Sequence, residues 1–268
     1  MRLYKALLVA RKDWKEAFSS RLSLASLVFP YAFAMLVPLL LMALFVLGGP
    51  EFAEMTPREV ERLRAILPGT EGLTEEQLSI YLVGALIAPL LFLIAPLMSS
   101  SMIAADSFAG EKERKTIEPL LAAPVDEAEL LLGKVLVSFL PTMALLYASF
   151  GLCCALTNAL TAGIMGYLWF PPLSTLLSVC LIGPLYTFLG MCLVIVGSTR
   201  ASTVRDASNY AGVLILPLLA VLLAQLAGLM VVNATYILIA AGILALIDAL
   251  TFRLAYRAFN REAIITRL

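Results

Sequence analysis

Six long apolar runs, at 22–47, 80–105, 135–157, 173–198, 209–231 and 234–256, alternate with short polar stretches along the chain. About 20 consecutive apolar residues in a helix cross a ~30 Å hydrocarbon layer, and every run meets that length. No convincing strand interrupts them. The pattern predicts an all-α fold, a polytopic membrane protein with six transmembrane helices.

The polar stretches carry their own signals. Over 1–21, Leu3, Leu7, Ala10, Trp14 and Phe18 fall in one arc at helical spacing, with Lys5, Lys12 and Glu16 opposite, which predicts an interfacial helix. Leu8 and Val9 make that amphipathicity partial. The loop 48–79 is acidic, and Thr56-Pro57-Arg58-Glu59 reads as a capped helix start with proline at the first position. That helix should end at Pro68-Gly69. Thr74 and Gln77 repeat the cap, so the second helix is expected to begin outside the bilayer, beneath a structured lid.

Between Lys134 and Arg200 no residue is charged. A polar link through Asn158, Thr161 and Gly163 is expected there, with Tyr167 and Trp169 in an interfacial belt. Gly183, Gly190 and Gly197 recur every seven residues and should let another helix approach closely. Pro30, Pro38, Pro89, Pro96, Pro141, Pro184 and Pro217 interrupt five of the six runs, and each removes a backbone hydrogen bond.

Charge orients the chain. Sixteen of its 19 Lys and Arg residues lie on the two tails, the 106–134 segment and the 199–208 turn; only Arg58, Arg62 and Arg64 lie on the other side. The positive-inside rule predicts a multi-pass protein of the plasma membrane with both termini cytoplasmic and 48–79 an extracytoplasmic loop. The first run is too long, and too cleanly lacking a small-x-small site, for a cleavable signal peptide.

Composition narrows the chemistry. The chain is 61% hydrophobic and 14% charged, against about 25% charged in globular proteins. It has no histidine, so the commonest general base and metal ligand is absent. Cys153, Cys154, Cys180 and Cys192 lie inside apolar runs without metal-like spacing and read as small hydrophobes. No phosphate-binding loop exists; Gly133-Lys134 lacks the upstream glycine. No catalytic, cofactor or metal site is expected, and no nucleic-acid partner. Asp248 is the one ionisable residue well inside an apolar run, a possible intramembrane polar site. It lies about one and a half turns before Arg253, so reaching the interface or pairing with an arginine is its expected role.

The 106–134 segment differs from a solvated connector. Glu111 to Leu121 reads as a short polar helix stopped near Pro124, and Asp126 opens the next with Glu129 placed to close a capping box. Two helices joined at a proline make a rigid joint. The run Gly110-Glu111-Lys112-Glu113-Arg114, Thr116, Glu118, Leu120-Leu121 and Pro124-Val125 resembles the cytoplasmic segment of type-2 ABC transporter permeases, the membrane halves of ATP-driven exporters. The resemblance implies that Glu111, Glu113, Arg114, Thr116, Ile117, Glu118, Leu120, Leu121 and Pro124 form the ATPase-coupling segment. It further implies a separate ABC ATPase subunit that binds ATP and Mg, and a second permease copy completing the path as a homodimer or heterodimer.

Two other classes compete. A stand-alone channel or secondary carrier would leave the charged segment without a purpose, and no inverted repeat is apparent. An intramembrane enzyme would need a facing catalytic pair, and neither a histidine nor a second buried acid is available to Asp248.

Overall fold

The computed structural model describes residue 14 and residues 21–49, 55–67, 69–114, 127–201, 203–229 and 233–258. Among them the chain is helical without strands, and six helices are long and apolar enough to cross a membrane. These are α1 (Arg21–Gly48), α3 (Glu75–Glu113), α4 (Glu127–Met165), α5 (Leu173–Ser198), α6 (Val204–Leu226) and α7 (Ala234–Ala258); the short α2 (Pro57–Ile66) lies between the first two. The expected interfacial helix lies outside the described residues except for Trp14, which is helical and exposed.

Local chemistry sets several boundaries. Thr56 and Thr74 each accept from the backbone N–H three residues on, and the Glu59 and Gln77 side chains accept in return from the cap N–H. Those bonds from Thr56 hold the Glu59 carboxyl below the usual carboxylate range. The α2 helix ends at Leu67, before Gly69 at φ 82°.

Three expectations are corrected. No polar link breaks the chain at Asn158–Gly163, because α4 continues to Met165. Asn158 stays helical and serves the loop beyond: its Oδ1 accepts from the N–H groups of Trp169 (3.1 Å) and Phe170 (3.2 Å), and its Nδ2 donates to the Phe170 carbonyl at 2.6 Å. Trp169 is buried rather than belted at an interface, donating from its indole to Thr161 Oγ1 at 2.8 Å. Tyr167 is exposed. The charged segment also does not open with a separate helix at Glu111, since α3 runs on through a π-turn at Asp106–Gly110 into Glu111–Glu113.

The helices α3 and α5 form the centre, packed on each other, with α1 and α4 against α3 on one side and α6 and α7 against α5 on the other. In lipid, association rests on close packing more than on expulsion of water, and α5 shows the device. A β-carbon at Gly190 would collide with Leu97 of α3, and one at Gly197 with the ring of Tyr210 on α6. The glycine face therefore serves packing within the subunit. Pro89 and Pro184 each follow directly on a π-turn, at Val83–Ile87 and Ser178–Ile182. The widened turn accommodates the missing N–H, and freed carbonyls find other donors: Thr175 Oγ1 to the Gly84 carbonyl at 3.0 Å, Tyr147 Oη to that of Cys180 at 3.5 Å. Pro217 follows the break in α6 at Val213–Leu214, where the Tyr186 hydroxyl donates to the Leu214 carbonyl.

Opposite the end that carries the 106–114 turn, α2 lies over the C-terminus of α6. Arg62 donates to the Ala227 carbonyl at 2.7 Å, a cation at the negative end of a helix dipole. Beneath it a cavity of about 90 Å³ opens among Tyr81, Pro89, Ser174, Ser178, Leu222 and Gln225, well below the ~300–1,000 Å³ of ordinary small-molecule sites.

Candidate functional site

The basic end of the bundle is organised around the last turns of α3. Glu111 is buried, its Oε2 2.8 Å from Lys134 Nζ on α4. Lys134 is fully buried as well. Its ammonium also donates to the Ser107 carbonyl and to Ser107 Oγ at 3.3 Å, and lies 5.1 Å from the centre of the Phe108 ring. A buried ion pair holds only where further hydrogen bonds and attractive faces surround it, and here two oxygens and a π-face complete the ammonium's shell. The Glu111 carboxylate is thus turned into the bundle and away from an outside partner.

The next three residues reach sideways. Lys112 Nζ donates to the carbonyls of Ser198 (2.8 Å) and Thr199 (3.4 Å), the C-terminal end of α5. Glu113 Oε2 accepts from the N–H of Val204 at 3.2 Å, at the first turn of α6. Each charge complements the helix end it meets, a cation at the carbonyl end and an anion at the amide end. Arg114 folds back on Asp106 at 3.0 Å, and both remain about half exposed. The α3 terminus therefore joins the basic ends of α4, α5 and α6. Thr116, Ile117, Glu118, Leu120, Leu121 and Pro124, with the Asp126 half of the expected capping box, lie outside the described residues.

A second polar feature lies deeper. On α7, Ile237, Ala241, Leu244, Asp248, Phe252 and Ala255 recur at three- and four-residue steps and face the rest of the bundle. Asp248 is 5% exposed, and neither of its carboxylate oxygens has a hydrogen-bond partner among the described residues. Cys192 of α5 is beside it. Arg253 and Arg257 are exposed, so the expected escape to the interface or to an arginine is not what the structure shows. Among the described residues no group of His, Cys, Asp or Glu is arranged to hold a metal ion.

The sequence of residues 7–264 matches the family model described as ABC-2 family transporter protein. The chain belongs to the ABC-2 transporter family. It is a multi-pass membrane protein and the permease of an ABC-type transporter. Comparison with functionally curated proteins yields no match.

Sequence reasoning about this ABC-2 permease missed Lys112 and Lys134 as partners of the segment. Lys134 carried a usable signal, being the last charged residue before an uncharged stretch of span length, where a cation needs a counter-charge. Lys112 carried none, since its acceptors are backbone carbonyls 86 and 87 positions away.

Proposed function

We propose that this ABC-2 permease is the membrane subunit of an ATP-driven exporter, paired with a second permease copy in the plasma membrane and powered by a separate ABC ATPase. Its basic end faces the cytoplasm and its termini lie there. The ATPase, holding ATP and Mg, docks on the segment that follows α3, with Ile117, Leu120 and Leu121 as apolar anchors and Glu118 and Arg114 as polar contacts. Pro124 is the rigid joint leading into α4. The observation that best supports this reading is the junction at Glu111, Lys112 and Glu113. A mere connector has no need of a terminus bonded to the ends of three other spans, whereas a force-receiving element does.

The test is co-purification of the ATPase with Leu120→Ala/Leu121→Ala. Truncating a buried interface anchor costs about 2 kcal/mol or more, so losing even one of the two should lower binding at least ~30-fold while the permease remains folded. Undiminished co-purification would place the docking surface elsewhere.

A further inference from the structure

Asp248 is a carboxyl group in a place that favours neither charge nor hydration. Its neighbours along the inward stripe of α7 are apolar: Ala241 and Leu244 before it, Phe252 and Ala255 after it. Phe252 stacks at 5.7 Å on Phe188 of α5, closing the seam toward the basic end. The one hydroxyl within a turn, Thr251 Oγ1, is committed to the carbonyls of Ile247 (2.9 Å) and Asp248 (3.2 Å).

Among the described residues, the titratable groups around the seam bring no positive charge. From α5, Cys192 faces the carboxyl, while the Tyr186 hydroxyl is bonded to Leu214. The π-turn at Ser178–Ile182 contributes Cys180, which is exposed, and the Leu173–Leu177 turn contributes only hydroxyls, that of Thr175 bonded to Gly84. On α7 itself, Tyr236, Arg253, Tyr256 and Arg257 are exposed. An ionised carboxylate here would lack both water and, among the described residues, a counter-ion, a penalty that disfavours the charged form.

A bound metal cation would relieve it only with several oxygen ligands, as hard cations require. Among the described residues the seam supplies one carboxyl; its other groups are helical carbonyls, hydroxyls such as those of Thr175 and Thr251 that are bonded to carbonyls, and a thiol. A proton needs one oxygen.

We propose that Asp248 is a membrane-embedded proton-binding site, carried as the neutral acid while α5 and α7 are packed and able to release its proton only when that seam opens to water. This assigns a proton as the ligand of a position that the docking reading does not use, and it stands whether or not the ATPase binds where proposed.

The experiment is infrared spectroscopy of the purified full-length permease in lipid vesicles, titrated from mildly acidic to alkaline pH. A carboxylic-acid C=O band, sensitive to deuterium and absent from Asp248→Asn, should be present at neutral pH and disappear only well above the range where exposed carboxyls titrate. In parallel, dicyclohexylcarbodiimide reports accessibility from the lipid. The acid's proton passes to a reagent nitrogen as the carboxyl oxygen bonds the central carbon, and acyl transfer to nitrogen leaves a stable N-acylurea carrying the whole reagent mass. That adduct should map to Asp248 and form severalfold more slowly as pH rises. Absence at neutral pH of any acid band that Asp248→Asn removes would overturn the proposal. So would a band abolished by sodium at fixed pH, which would make the ligand a metal cation.

Discussion

An ammonium group wholly out of water needs a carboxylate and further acceptors around it, and Lys134 has Glu111, two oxygens of Ser107 and the ring of Phe108. Removing one member strands the other. Lys134→Met should therefore destabilise the permease by about 3–5 kcal/mol, while Lys134→Met/Glu111→Leu, which replaces the pair by apolar bulk, should recover most of that loss. Thermal unfolding of the purified variants in detergent reads both. A single variant as stable as the parent, or a double variant no better than the single, would show that the pair does not hold the α3–α4 junction. The same residues mark where sequence reading stops at this scale. The Thr56–Glu59 and Thr74–Gln77 caps were legible because both partners lie three positions apart. Glu111 and Lys134 are 23 positions apart, and only the folded bundle brings them together. Asn158 misled for a related reason: a polar side chain in an apolar run suggested a break, whereas it satisfies backbone groups of the loop after α4 from within an unbroken helix.

Among the elements, length and order were legible because hydrophobic run length is a physical requirement of the bilayer. The ends were less so, since α3 and α4 extend past their apolar runs into charged or polar sequence. Proline positions were readable, but the π-turns that absorb Pro89 and Pro184 were not; they depend on Thr175 and Tyr147 reaching the freed carbonyls from a neighbouring helix. The seven-residue glycine spacing on α5 left open which surface it met, and packing answers that with Leu97 and Tyr210. Gly197→Val should push the end of α5 and the start of α6 apart, because the Tyr210 ring occupies the space and α6 is anchored beside it. Folded yield, by size-exclusion profile after detergent extraction, should fall severalfold. Gly151→Ala on α4, where a β-carbon meets nothing within 4 Å, should leave the profile unchanged. Equal behaviour of the two would mean the α5 face has slack that the structure does not show.

At the scale of the molecule, the arrangement makes the α3 terminus a hub. The core helices α3 and α5 meet along their length, and at the basic end Glu111 holds α4, Lys112 the end of α5 and Glu113 the start of α6. A push delivered just beyond Arg114 would therefore reach α5 and α6 through two charged side chains bonded to helix termini, in addition to α4 through the covalent chain. Charge-to-terminus contacts contribute modestly to stability, about 0.3–1 kcal/mol when exposed, as for Glu113, and up to about 2 kcal/mol when part-buried, as for Lys112, so their loss should leave the fold and the ATPase docking surface intact. Lys112→Gln/Glu113→Gln removes both charges at nearly constant size. With the ATPase bound, the double variant should retain co-purification and ATP hydrolysis while the α5–α6 ends no longer follow the nucleotide cycle. Spin labels attached through Arg200→Cys, in the exposed turn between those helices, measure this as the label-to-label distance across the two permease copies, with ATP and with ADP–vanadate. The parent should show a nucleotide-dependent change in that distance and the double variant should lose it. A change of the same size in both would mean that motion enters the membrane through α4 alone, and the bonds of these two side chains would then be structural fastenings.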